Sequence, residues 1–202
     1  YQIEDVATPR AWRKNPQLVL DFYNYRRKDV LNAQPNTAHI GLAELENDFD
    51  VTIITQNVDN LHEKAGSSNI IHLHGELFKS QSTLDPSLIY EMDHWELNVG
   101  DKCEKGSQLR PYIVWFGEMV PMMEPAMDAA QQADIFAVIG TSLQVYPAAG
   151  LIQYAPSESL KYIIDVNIPQ IGYINKLRAI QATASEGTQI MAQEIIEKYV
   201  YQ

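Results

Sequence analysis

The stretch VTIITQNVDNLHEKAGSSNIIHLHGE, Val51 to Glu76, decides the fold of this chain. It contains two short runs rich in β-branched residues, VTIIT and NIIHLH, and polar residues follow each run directly. Such runs, bounded by polar breakers, predict buried strands. Open α/β sheets bind ligands at the carboxyl ends of their strands. We therefore expect functional side chains just after the first run, at Gln56, Asn57 and Asp59, and at the end of the second run, at His74.

Further along the chain, apolar strand-like segments such as DIFAVIG and KYIIDVN alternate with helix-like segments. This alternation predicts an α/β fold, a Rossmann-like parallel sheet with helices on both faces, plus a small second module. Helix starts are predicted at Thr8, which precedes Pro9, and at Thr37. A long helix is predicted from about Asn15 to Val30, and a final helix from Ser185.

Composition narrows the function classes. The 202 residues carry a formal net charge of −11, which argues against nucleic acid and anionic membrane surfaces as partners. The sequence contains neither a membrane-length apolar run nor a signal-like start, so we expect a cytoplasmic protein. Cys103 is the single cysteine, so the chain can form no internal disulfide and no thiolate zinc site of its own.

The central stretch also resembles a known family. TQNVDNLHEKAG followed by LHGELF is similar to the NAD-binding and catalytic segments of the sirtuins, the NAD-dependent protein deacylases. Three later stretches agree in order and spacing: VWFGEMVP, GTSLQVYPAAG and IDVNIP. The resemblance implies an enzyme that removes acyl groups from lysines of protein substrates and releases nicotinamide and O-acyl-ADP-ribose.

The resemblance also implies roles for individual residues. His74 matches the family's catalytic base, although a lone histidine considered by itself is more often structural. An asparagine-rich loop is likewise often only a turn, and Phe116 alone would be a core aromatic. The implied NAD-binding residues are Gln56, Asn57, Val58, Asp59, Gly140, Thr141, Ser142, Asn167 and Ala184. The implied peptide-binding residues are Val114, Phe116, Gly117, Glu118 and Val145.

Tyr23 and Arg26 lie three positions apart on the long predicted helix and therefore share a face. A phenol beside a guanidinium can bind a carboxylate. Spacing alone favours a core tyrosine and a solvated basic face formed by Arg26, Arg27 and Lys28. The resemblance reverses this interpretation, because sirtuins that remove succinyl and malonyl groups carry Tyr-x-x-Arg here. It implies a desuccinylase or demalonylase that retains weaker deacetylase activity.

The segment 78–109 is polar and rich in turns, and in many sirtuins its counterpart holds a structural zinc through four cysteines. This segment offers only Cys103, so we expect no zinc and predict that apolar packing holds it together. The packing candidates are Leu84, Leu88, Ile89, Tyr90, Trp95 and Leu97. The expected division is a helical segment 1–33, an insertion 78–109, and an NAD-binding core formed by 34–77 and 110–202.

The glycine-rich loop that sirtuins place before this region has no counterpart in the sequence, which we expect to be a family member without its first several dozen residues. Two other functions stay open. Some relatives are ADP-ribosyltransferases that use the same NAD pocket. A chain without the glycine-rich loop could also be a non-catalytic module that binds NAD or ADP-ribose.

Overall fold

The computed structural model describes residues 2–141, 147–168, 170 and 172–201. The chain divides into two compact units. The first contains Tyr1–Gln34, Thr55–Asn60 and His72–Pro121, and the second contains Pro35–Ile54, Leu61–Ile71 and Met122–Gln202. These units differ from the division expected from the family resemblance, which stays a prediction.

The first unit combines three helices with an antiparallel sheet of three strands in the order β4-β3-β5. Its elements are α1 (Ile3–Val6), α2 (Pro9–Lys14), α3 (Pro16–Leu31), β3 (Gly75–Ser82), β4 (Ile89–Glu91) and β5 (Leu109–Ile113). The predicted start at Thr8 is confirmed, because its hydroxyl accepts a hydrogen bond from the Ala11 amide. The long predicted helix is confirmed as α3.

A single buried arginine connects α3 to the sheet and to the insertion. Arg27 is fully buried, which corrects its placement on a solvated basic face. Its Nε donates to the Trp95 carbonyl at 2.7 Å and its Nη1 to the Leu77 carbonyl at 3.1 Å, while Nη2 donates to Asn24 Oδ1. Burial lowers the pKa of Arg27 to about 10, so the side chain stays charged at neutral pH.

Hydrogen bonds organise the tip of the insertion. The hydroxyls of Ser82 and Ser107 lie 2.7 Å apart, and the Cys103 Sγ is 3.4 Å and 3.3 Å from them. Hydrogen bonds with Ser107 and Ser82 lower the pKa of the Cys103 thiol to about 7. The predicted apolar packing is partly wrong: Leu97 is buried, but Leu84 and Ile89 are exposed.

The second unit contains a parallel sheet in the order β6-β7-β8, which confirms the predicted α/β class. Its α-helices and the strands of this sheet are α4 (Thr37–Glu44), α5 (Leu61–Ala65), α6 (Met123–Gln131), β6 (Ile135–Ile139), β7 (Leu160–Asp165), β8 (Leu177–Gln181) and α7 (Ala184–Tyr199). One 3-10 helix, Leu45–Asn47, follows α4, and another covers Ala148–Gln153. Two strands of the central stretch, β1 (Ile53–Thr55) and β2 (Ile70–His72), pair with each other. Each of them begins in the second unit and ends in the first.

Strand β7 is buried on both faces. Tyr162 and Ile164 pack in one cluster with Met191 and Ile195 of α7, whereas Ile163 packs with Ile152 of the 3-10 helix. A Cβ atom at Gly187 would lie 2.1 Å from Cγ2 of Ile164, so α7 can approach this closely only with glycine there.

Lys161, at the start of the same strand, is also buried. Its ammonium donates to three backbone carbonyls, those of Pro156, Ser157 and Ser159, at 2.7, 3.3 and 2.9 Å. An ammonium group has three donor protons, so these carbonyls provide one acceptor for each.

Two predicted helix starts need correction. Asn36, not Thr37, caps α4, because its side chain accepts from the amides of Ala38 and His39. Thr183, not Ser185, caps α7, where Glu186 completes a capping box. In both cases the capping residue lies just before the position that the sequence indicated. Across the described residues, no helix combines the length and apolarity that crossing a membrane requires.

We predict that Arg27→Met lowers the free energy of unfolding by about 3 kcal/mol or more, because three acceptors at a buried guanidinium lose their donors. Arg26→Met is the matched control, since Arg26 is exposed and its replacement should change stability by less than about 0.5 kcal/mol. Urea unfolding of both variants measures the difference. Equal midpoints for the two variants would contradict the structural role of Arg27.

We also predict that Gly75→Ala destabilises the first unit strongly. Gly75 has φ +83°, and a Cβ atom there would lie 2.1 Å from the Tyr112 carbonyl oxygen. Gly106 has a similar φ of +76°, but a Cβ atom there would meet nothing within 4 Å, so Gly106→Ala reports the cost of backbone strain alone. Thermal unfolding should show a clearly larger loss for Gly75→Ala, by about 1–3 kcal/mol. A loss no larger than that of Gly106→Ala would show that β5 moves aside at no measurable cost in stability, and would contradict this prediction.

Candidate active site

The loop after β1 is fixed through its backbone carbonyls, all within the first unit. The Gln56 carbonyl accepts from Nδ1 of His74 at 3.2 Å, and the Asn57 carbonyl accepts from Nδ1 of His72 at 3.3 Å. The Val58 carbonyl accepts from the Leu77 amide at 2.8 Å. The predicted loop residues 56–58 and His74 are therefore brought together.

This geometry determines the tautomer of His74. A carbonyl oxygen can only accept, so Nδ1 carries the proton and Nε2 of the neutral ring presents a lone pair. His74 lies just after β2 and is half-buried, and its own carbonyl accepts from the Val114 amide at 2.9 Å. Backbone and side chain of His74 are thus both held by hydrogen bonds.

A buried side-chain oxygen that the sequence pattern did not reveal lies next to this loop. Oδ1 of Asn60 is buried and has no hydrogen-bond partner among the residues that the structure describes. Buried oxygens are nearly always paired, so this one suits a ligand that donates a hydrogen bond, such as an amide or a sugar hydroxyl. The only indication in the sequence that could have identified Asn60 is its position directly after Asp59.

Tyr23 and Arg26 differ in exposure although they share one side of α3. The Tyr23 side chain is buried, and its hydroxyl accepts from Nε1 of Trp115 at 3.1 Å. Burial raises the pKa of Tyr23 to about 12, while the positive charge of Arg26 acts in the opposite direction. The guanidinium-bearing residue Arg26 is exposed.

The predicted peptide-binding segment follows β5. The Phe116 amide donates to the Ala7 carbonyl at 3.0 Å, which fixes the backbone, while the Phe116 side chain is exposed. Gly117 has φ +89°, and the Glu118 carboxylate forms a bidentate ion pair with Arg110 at 2.7 and 3.0 Å. Val114 is bound to His74 through its amide.

In the second unit, the carboxyl ends of the parallel strands bring four predicted residues to one edge of the sheet. Gly140 follows β6, and a Cβ atom there would lie 3.9 Å from that of Ala184, the first residue of α7. The register pairs Asp165 with Gln181, and the Asn167 amide donates to the Asp165 carboxylate at 2.8 Å. Thr141 follows Gly140 and is half-buried. Ser142 and Val145, also predicted from the sequence, lie outside the described residues.

The chain matches the family model described as Sir2 family over residues 1–147. An NAD-dependent protein deacylase of Bacteroides thetaiotaomicron is 50% identical over 201 residues, covering 97% of this chain and 86% of that protein. An NAD-dependent protein deacylase of Helicobacter pylori is 48% identical over 197 residues, covering 98% and 86%.

Solved structures agree with these matches. An ADP-ribose complex of a Sir2 homologue superposes with a TM-score of 0.89 at 36% identity, covering all of this chain and 83% of that one. A complex of a Sir2 homologue with NAD gives a TM-score of 0.87 at 37% identity, covering 98% and 79%. The folded units, the family match and these relatives lead to one conclusion: the chain belongs to the Sir2 family.

Proposed function

We propose that this protein is an NAD-dependent protein-lysine deacylase that prefers succinyl and malonyl groups and removes acetyl groups more slowly. The observation that carries the deacylase proposal is the fixed tautomer of His74, whose Nδ1 donates to the Gln56 carbonyl. The preference for acidic acyl groups is supported by Tyr23 and Arg26, a phenol and a guanidinium one helical turn apart.

The relatives support the same reaction. Those of Bacteroides thetaiotaomicron and Helicobacter pylori are named NAD-dependent protein deacylases. A Sir2 structure with a p53 peptide and NAD, 27% identical with a TM-score of 0.74, combines a protein-derived peptide with NAD. We therefore assign acyl-lysine proteins as substrates and NAD as cofactor.

The donors and acceptors of the chain fit NAD. Oδ1 of Asn60 is buried and unpaired among the described residues, and the adjacent loop offers amide and carboxylate groups for an amide and for ribose hydroxyls. We assign this loop, Gln56 to Asp59, to the nicotinamide and its ribose. Small and polar residues at the sheet edge of the second unit, Gly140, Thr141, Asn167 and Ala184, are assigned to other parts of the cofactor.

In the proposed reaction, bound NAD supplies an activated bond between ribose and nicotinamide. Nε2 of His74 accepts a proton from a ribose hydroxyl, because its lone pair is available while Nδ1 remains bound to Gln56. The backbone of residues 114–118 is assigned to the substrate peptide, which would add as an extended strand. Arg26 supplies the positive charge that binds an acidic acyl group.

The test is mass spectrometry of matched succinyl-lysine and acetyl-lysine peptides incubated with full-length protein and NAD. Arg26→Met should lower kcat/KM for the succinyl peptide by about tenfold or more, with a smaller effect on the acetyl peptide, because a charge-assisted hydrogen bond is lost. His74→Ala should lower both activities by about a hundredfold or more.

Arg13→Met is the control, since Arg13 is also exposed and lies on α2, outside the assigned site. Its two activities should match those of the unmodified protein. No NAD-dependent acyl loss from either peptide would refute the deacylase proposal, and transfer of ADP-ribose to protein would favour the transferase. Equal effects of Arg26→Met on both peptides would refute the acyl preference alone.

A further inference from the structure

The hydroxyl of Tyr23 is held by a side chain far away in sequence. Nε1 of Trp115 donates to it at 3.1 Å, and both residues are buried, with 5% of Tyr23 and 2% of Trp115 exposed. Indole nitrogen is a donor only, so the Tyr23 oxygen must act as the acceptor of this bond. The direction of the hydrogen bond is therefore known without observing a hydrogen atom.

The proton of the same hydroxyl points elsewhere. A phenol has one proton to donate, and Tyr23 makes no other hydrogen bond with a described residue. Burial raises the pKa of Tyr23 to about 12, so the group remains a neutral donor near pH 7. A buried donor gains most from a strong acceptor, and a carboxylate is the strongest acceptor that an acidic acyl group offers.

Trp115 is itself fixed from several sides. The guanidinium of Arg110 lies over its ring, with 3.5 Å from Cζ to the ring centroid. Both terminal nitrogens of Arg110 bind the Glu118 carboxylate, and Oε2 of Glu118 also accepts from the Trp115 amide at 2.8 Å. The ring of Trp12 packs against it with the centroids 5.7 Å apart.

The Arg110–Glu118 pair is partly buried and lies in the first unit with Tyr23. It acts on Trp115 twice, because Arg110 covers the ring and Glu118 holds the backbone of the same residue. Rotation of the indole away from Tyr23 would break the contact with the Arg110 guanidinium, while the bond to Glu118 keeps the backbone of Trp115 in place. The pair thus fixes the direction in which the Tyr23 hydroxyl proton can point.

We propose that Trp115, held by the Arg110–Glu118 pair, is a positioning residue for acidic acyl groups: it fixes the Tyr23 hydroxyl as a hydrogen-bond donor to the acyl carboxylate. This inference rests on the acyl preference proposed above and adds a determinant of it. Arg26 supplies a positive charge, whereas Tyr23, oriented by Trp115, supplies a directed hydrogen bond to the acyl carboxylate. Specificity therefore depends on a residue that touches no acyl atom.

The test is a double-mutant cycle of Tyr23→Phe and Trp115→Phe in the full-length protein, with succinyl-lysine and acetyl-lysine peptides at saturating NAD. The measured quantity is the ratio of kcat/KM for the two peptides. Trp115→Phe should lower the succinyl-to-acetyl ratio by about five- to tenfold, because an unheld hydroxyl loses part of a hydrogen bond to a charged group. In the Tyr23→Phe background, Trp115→Phe should leave the ratio unchanged.

Arg110→Lys provides a second variant with the indole intact. It keeps the positive charge but loses the bidentate geometry, so the ratio should fall in the same direction. Circular dichroism and thermal unfolding confirm that each variant is folded before its ratio is interpreted. A merely structural role would lower both activities together and leave the ratio at its original value.

The outcomes separate this inference from the proposed function. If Tyr23→Phe and Arg26→Met lower the ratio while Trp115→Phe and Arg110→Lys do not, the positioning role is refuted and the acyl preference stands. Independent, multiplying effects of Tyr23→Phe and Trp115→Phe refute it as well. If Tyr23→Phe and Arg26→Met both leave the ratio unchanged, the acyl preference and the positioning role are refuted together.

Discussion

The buried guanidinium of Arg27 is the interaction on which the first unit depends. It pairs with backbone carbonyls of β3 and the insertion and with Asn24, so one side chain joins three parts of the chain. Asn24 in turn exchanges two hydrogen bonds with the backbone of Leu97. These hydrogen bonds fix the rotation of helix α3 about its own axis. Tyr23, one turn before Arg27, is buried, whereas Arg26, on the same side of the helix as Tyr23, is exposed.

Sequence patterns predicted the strands whose buried residues are apolar. The runs around β1, β6 and β7 are β-branched or aliphatic, and the structure has strands there. They did not predict β3, because two inward positions of that strand are Ser80 and Ser82, both buried. A strand with small polar residues facing inward lacks the alternation that sequence patterns detect. The burial of Arg27 was not predicted either, because charged residues are rarely buried without an ionic partner.

The candidate site was predictable where chemistry follows strand ends. His74, the loop after β1 and the sheet-edge residues of the second unit come from that rule together with the family resemblance. Asn60, Arg110 and Trp115 did not, since their significance depends on partners or on burial that only folding creates. Trp115 and Tyr23 are 92 positions apart, and no local pattern links an indole to a phenol over such a distance. The roles assigned to these residues remain predictions until the variants are measured.

The ammonium of Lys161 has a practical consequence for studying an enzyme that acts on acylated lysines. Its three protons are already committed to carbonyl oxygens inside the second unit, so an acylating reagent cannot reach this nitrogen while β7 is in place. Exposed lysines such as Lys14 would be modified at once. Chemical footprinting at this single amine would therefore report opening of the parallel sheet, and acyl groups found there would mark chains that were modified before folding or while the sheet was open.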